Sequence, residues 1–312
     1  MAVECRERRI SNCTVVPVES RFEQCIHTYY GVMPWTQSGD RLLYLGIDGK
    51  GTGHIVVQDL ADGRELILAD TARFSYHSGA GQKWIFSDSA VLFSTSDANG
   101  SPIPAVVYLD RPGEVQVLEK LSGRGVRSIC GGQEQGLTSF ANAAEDGGSL
   151  IERVDLRTQE VYPLVTTKEA VRELPPELRT EFHEDSKSLH FNHPVLNADE
   201  TRMFFKLMRR FPDDRLQFGA FFVMEMETGE LRCLGRRVSG HPRWMPDGRT
   251  ILNVAPPHGY DYVRGEGFKF CDNSGNRWLI LVDSVTGEYR RLVDLPIEGP
   301  GHPDVSPDGR WV

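Results

Sequence analysis

Four times along this chain an apolar run breaks at a tight polar turn and resumes as a second apolar run. Val32 to Trp35 leads through Gln37-Ser38-Gly39-Asp40 into Arg41 to Leu45. His193 to Leu196 leads through Asn197-Ala198-Asp199-Glu200 into Met203 to Met208, and His241 to Trp244 leads through Met245-Pro246-Asp247-Gly248 into Thr250 to Val254. His302 to Val305 then reaches Ser306-Pro307-Asp308-Gly309 and Arg310 to Val312. In the first three units another hairpin follows. Its turns are Ala61-Asp62-Gly63-Arg64, Thr228-Gly229-Glu230 and Thr286-Gly287-Glu288. Short runs of β-branched and aromatic residues split by such turns are β-hairpins. Four strands per unit, at a spacing of roughly 45–60 residues, is the period of a propeller blade.

Two weaker units fit between. Trp84 to Leu118 carries strands at Ile85–Phe86, Ala90–Ser94 and Ala105–Leu109; Val126 to Leu164 carries Leu150 to Leu156, the degenerate turn Arg157-Thr158-Gln159-Glu160, and Val161 to Leu164. The expected fold is therefore all-β, one β-propeller domain over residues 1–312 with about five and a half blades, incomplete at the C-terminus. Thr14–Val18 is expected to close the ring against the last strand, because a propeller has to bury its final edge. Residues 167–188 are charged and hold Pro175-Pro176 at their middle; they read as a helical excursion between blades, with a solvated linker as the plainer alternative.

Composition narrows the function. The 31 glycines and 18 prolines suit a turn-rich chain and exclude a helical bundle. The net charge of −9, with no basic stripe, argues against nucleic-acid binding, which needs concentrated Lys and Arg to displace counterions. Six scattered cysteines give no disulfide framework and no zinc motif. The charged N-terminus lacks a secretory apolar core, and no stretch approaches the roughly 18 apolar residues of a membrane span. The expectation is a cytoplasmic protein with a small-molecule or carbohydrate partner.

Propeller geometry turns the repeat into a site. The innermost strand of each blade lines the channel, so residues at equivalent positions of different blades converge at one mouth. His193-Pro194, His241-Pro242 and His302-Pro303 each place a His four residues before a turn. Convergent imidazoles suit a divalent metal or a base near neutral pH; capping of the strand by hydrogen bonding is the structural alternative. Lys206, Arg209 and Arg210 end the second strand of the His193 unit, where Arg suits a carboxylate. His27-Thr28-Tyr29-Tyr30 occupies the corresponding entrance of the first blade and offers a phenol as acid or base, with aromatic packing the alternative for at least one tyrosine. His190 alternates with Asn192 on the strand of His193, and the loop around His258 and Tyr260 is placed to wall a sugar-sized groove.

The run from Pro34-Trp35 to Glu65, with the entrances Gly240-His241-Pro242-Arg243-Trp244-Met245-Pro246-Asp247-Gly248 and Gly301-His302-Pro303, resembles the oligogalacturonate lyases and related propeller polysaccharide lyases. The resemblance spans most of the chain as architecture and is specific at the His entrances. It implies a seven-bladed propeller when complete and a divalent ion (Mn or Ca) near the channel mouth. It further implies cleavage of acidic, uronate-containing oligosaccharides by β-elimination. It assigns His193 as base, although Asn192 stands where the family has Gly, and His241 and His302 as metal ligands. Arg209 or Arg210 would hold the uronate carboxylate, Tyr30 would stand among the catalytic groups, and His27, His190, His258 and Tyr260 would contact substrate. The family's essential Arg falls near Leu150 to Arg153, with Leu150 at the strict match. Two rival readings stand beside it. One is a non-enzymatic TolB-like binding propeller, which shares the Pro-Asp-Gly turns. The other is the propeller of a prolyl-oligopeptidase-like enzyme, for which no G-x-S-x-G motif is present.

Overall fold

The alternation of apolar and polar residues in each run gives strands whose two faces meet different neighbours, and the turns between them set the order in which they pair. The structure, a computed structural model, describes all residues except 1–7, 11–12, 16, 30, 129–134, 141–147, 183–187, 213–215, 236–240, 256–259, 264–266, 271–276, 296–301, 307–308 and 311. A small hairpin of β1 (Arg8–Ile10) and β2 (Cys13–Val15) precedes the first blade. Blade one is β3 (Gln24–Ile26), β4 (Arg41–Ile47), β5 (Gly53–Asp59) and β6 (Glu65–Thr71). Blade two is β7 (Lys83–Ile85), β8 (Ala90–Ser96), β9 (Pro102–Tyr108) and β10 (Val115–Val117). Blade three is β11 (Val126–Ser128), β12 (Gln135–Phe140), β13 (Leu150–Asp155) and β14 (Val161–Thr166). Two short helices, α1 (Thr167–Arg172) and α2 (Pro176–Phe182), lead to blade four: β15 (Leu189–Leu196), β16 (Arg202–Arg210), β17 (Leu216–Glu225) and β18 (Leu231–Gly235). Blade five begins with β19 (Arg243–Trp244) and β20 (Thr250–Ala255). The hairpin of β21 (Tyr260–Val263) and β22 (Gly267–Phe270) interrupts it, and it resumes with β23 (Arg277–Asp283) and β24 (Tyr289–Leu295). Every blade is an antiparallel meander.

The turn between third and fourth strands repeats in atomic detail. Gly63, Gln159, Gly229 and Gly287 all have positive φ, and each donates its N–H to the carbonyl of Asp59, Asp155, Glu225 and Asp283 respectively. That left-handed position explains the Gly of the Thr-Gly-Glu turns. The degenerate turn of blade three keeps the same conformation with Gln159 at φ 60°.

Apolar clusters fill the gaps between successive blades. Leu45 and Val57 of blade one pack with Trp84 and Phe93 of blade two, and Leu92 and Val106 of blade two pack with Val154 and Leu156 of blade three. Between blades three and four, Ile151 and Val165 meet Phe205, Leu207 and Phe222. Phe204, Met208 and Phe221 meet Trp244, Ile251 and Ile280 across the next gap. Tryptophans tie the inner strands: the indole N–H of Trp84 donates to the Pro34 carbonyl at 2.9 Å, and that of Trp244 to the Val195 carbonyl at 3.0 Å.

Four expectations need correction. Closure of the ring by Thr14–Val18 is not seen among the described residues: β2 (Cys13–Val15) pairs with β1 instead. Blade two has a fourth strand, β10, too short to stand out in the sequence. The inner strand of blade one is split, because residues 27–29 and 31–34 stand outside the ladder before the bridge Trp35↔Leu42. His302–Val305 is not a strand; no ladder partner stands beside it among the described residues, although Val305 is buried against Leu252 and Val254.

The excursion at 167–188 contains helices, as its composition suggests, and is more than a solvated linker. A capping box between Thr166 and Glu169 starts α1, and Ala170, Leu174 and Phe182 enter the core between blades three and four.

Candidate functional site

Entrances to blades one, four and five meet at one mouth of the channel. In blade four a register shift between Asn192 and Val195 lifts His193 out of the ladder, and His193 adopts φ 53°. A non-glycine residue held in the left-handed region costs free energy and marks a position fixed by its surroundings. In blade one the break after β3 carries Tyr29 into the same space.

Tyr29 is the centre of the cluster. Its hydroxyl lies 2.9 Å from Nε2 of His241 and 3.3 Å from Nε2 of His302. The two imidazoles stack with ring centroids 3.9 Å apart. His193 packs edge-on to His241 at 5.1 Å and faces the Tyr29 ring at 6.5 Å. His77, from the turn between blades one and two, lies 4.7 Å from the Tyr29 ring. One hydroxyl carries one proton, so Tyr29 donates to one Nε2 and accepts from the other. The hydroxyl thereby links the two imidazoles through two hydrogen bonds.

The electrostatics push the partners apart. Burial raises the Tyr29 phenol above its ordinary range. Burial, followed by the charges of His77 and Lys206, holds His302 below the ordinary imidazole value. The phenol therefore keeps its proton at neutral pH while His302 stays uncharged and able to accept one.

A cavity of about 440 Å³ runs along the inner strands toward the turns that follow them, lined among others by Trp35, Trp84, Trp244, Lys83, Asp88 and Arg243; none of Tyr29, His193, His241 and His302 lines it. That volume is in the range of small-ligand pockets. Arg243 pairs with Asp304 at 2.9 Å, tying the segment after His302 to blade five.

Other expected site residues lie elsewhere. Arg209 faces blade three, not the channel mouth: its guanidinium stacks over the Phe182 ring at 4.9 Å, because strand alternation puts it on the opposite face from Lys206 and Met208. Arg210 is exposed, and its charge acts on His190. His190 has its pKa lowered to about 4, chiefly by burial and then by Arg210. His27 is exposed and turns Nδ1 onto the carbonyl of Thr28. Tyr260 stands in β21, whose hairpin pairs with β17 and extends the sheet of blade four. Tyr30 and His258 lie outside the described residues. At this entrance the sequence reading named Tyr30 among the catalytic groups; the structure places its neighbour Tyr29 in the cluster, and Tyr30 lies outside the described residues. His77 lacks the His-Pro signal altogether.

As a metal site the set is too small. His241 and His302 direct Nε2 at the same phenolic oxygen, and no group of three or more His, Cys, Asp or Glu is arranged to hold a metal ion among the described residues. No chemical step is assigned to a metal here.

No protein-family model matches the chain, and no curated protein matches it in sequence. Solved structures do. An oligogalacturonate lyase from Vibrio parahaemolyticus is 16% identical with a TM-score of 0.60, covering 91% of this chain and 69% of its own. An oligogalacturonate lyase in complex with manganese is 17% identical with a TM-score of 0.59, covering 88% and 67%. TolB from Acinetobacter baumannii is 16% identical with a TM-score of 0.54, covering 89% and 55%. The chain thus spans little more than half of that TolB and about two thirds of the lyases. At such identities the likeness defines the class: a β-propeller with blades of the kind these proteins share.

Proposed function

We propose that this propeller is a polysaccharide lyase that cleaves uronate-containing oligosaccharides by β-elimination at the channel mouth. The observation that carries the reading is the Tyr29 hydroxyl shared by His241 and His302, with His193 packed against the same ring cluster. β-Elimination removes the proton on C5, next to the carboxylate, forms the C4–C5 double bond and expels the oxygen on C4, which takes up a proton. An uncharged imidazole, His193 in this proposal, takes the C5 proton, and Tyr29, which keeps its proton at neutral pH, supplies one to the leaving oxygen. His241 and His302 hold the phenol in place, and between turnovers His193 releases the C5 proton to water while Tyr29 regains one from water. The manganese named for one structural neighbour supports a divalent ion only for that protein.

Incubation with pectic, ulvan-like and glucuronate-containing oligomers tests the proposal, because each product gains the ultraviolet absorbance of its new double bond. Absence of that gain on all three substrates overturns it. The likeness to TolB favours a binding propeller as the second reading; in that case His193→Ala changes only partner binding.

A further inference from the structure

Lys206 is fully buried, 1% exposed, in the gap between blades four and five. It pairs across the ladder with Asn192, one residue before His193, and lies between Phe204 and Met208 on the face that meets blade five. No carboxylate pairs with it among the described residues, and its charge acts on His302 at the channel mouth. Blade five presents Asn253 to the same gap, two residues beyond Ile251 on the same strand face. Asn253 is 0% exposed, and both its Oδ1 and Nδ2 lack hydrogen-bond partners among the described residues. A fully buried lysine with no carboxylate beside it and an amide without hydrogen-bond partners do not persist in an apolar gap for packing reasons, since each costs free energy that a Met or Leu would not.

We infer that Lys206, with Asn253, forms the receptor for a ligand carboxylate at the mouth of the channel. The inference rests on the lyase reading for the identity of the ligand, a uronate. Lys206 then takes the part that the sequence suggested for Arg209 or Arg210: it neutralises the carboxylate whose neighbouring carbon loses its proton. An apolar gap makes that single charge count more than an exposed guanidinium would.

Galacturonate monosaccharide tests this directly, because it has the carboxylate but no glycosidic bond to break. In a ligand-observed NMR titration, wild-type protein should bind galacturonate and bind galactose at least tenfold more weakly. Lys206→Met should lose at least tenfold in galacturonate affinity. Should Lys206→Met fail to fold, Asn253→Leu takes its place with a threefold loss as the criterion. Failure of wild-type protein to bind galacturonate, equal binding of galactose, or a variant within twofold of wild type overturns the inference. A Lys206-dependent galacturonate site in a protein that forms no double bond overturns the lyase reading and keeps the site. Equal product formation by wild type and Lys206→Met does the reverse.

Discussion

The hydroxyl of Tyr29 lies 2.9 Å from Nε2 of His241 although 212 residues separate them in the chain. The first and fifth blades are thereby joined across the channel mouth by side chains. The same hydroxyl reaches His302 across 273 residues, so the cluster exists only when the blades stand in their folded order.

Lys206 should make stability depend on pH in a defined window. Burial lowers its pKa from 10.5 to about 7, so between these values the unfolded chain holds a proton that the folded chain does not. Stability therefore rises with pH across that window, and the penalty of the buried charge is fully present below about 7. Lys206→Met removes the penalty. It should be more stable than wild type by about 1–4 kcal/mol at pH 6 and show little advantage near pH 10. Urea denaturation at the two pH values measures the difference.

Phe182 is buried between the helices and blade four, and the Arg209 guanidinium stacks on it. Phe182→Ala should cost about 3–5 kcal/mol in chemical denaturation, the range for a lost core aromatic. A cost below about 1 kcal/mol would return residues 167–182 to the status of a surface linker.

Arg209→Ala should lower stability and leave turnover within about threefold of wild type, since the side chain faces blade three. Steady-state kinetics beside a melting curve separates the two effects. A large loss of turnover with an unchanged melt would place Arg209 in the chemistry.

Gly287 occupies the left-handed position of the turn between the third and fourth strands of blade five at φ 74°, with room for a methyl group: Leu234 Cδ2 is 3.5 Å from where its Cβ would stand. Gly287→Ala should therefore cost about 1 kcal/mol from the backbone alone. A neutral result in denaturant titration would mean that the turn can relax.

The sequence carried the blade pattern well, because side-chain alternation and turn residues are local signals. It also placed His193, His241 and His302 at one mouth, since equal offsets from equal turns give equal heights around the channel. It did not reveal that His193 would sit on a bulge with positive φ. It named Tyr30 where the structure has Tyr29 as the shared partner, because choosing between adjacent tyrosines depends on where the inner strand of blade one breaks. Arg209 stands away from the channel mouth for a simple reason: adjacent residues on a strand point to opposite faces, and of the three basic residues it is Lys206 and Arg210 that share the face of Asn192. Lys206 stood in plain view as part of a basic run, and its burial became visible only once blade five packed over it.

The most direct test of the lyase account is the turnover of Tyr29→Phe, which keeps the ring and removes the shared proton. On the oligomer that wild-type protein cleaves, kcat for double-bond formation should fall at least about 100-fold, as expected for loss of a general acid. KM should change little, and the melting temperature should stay near that of wild type. Turnover within threefold of wild type would contradict the account.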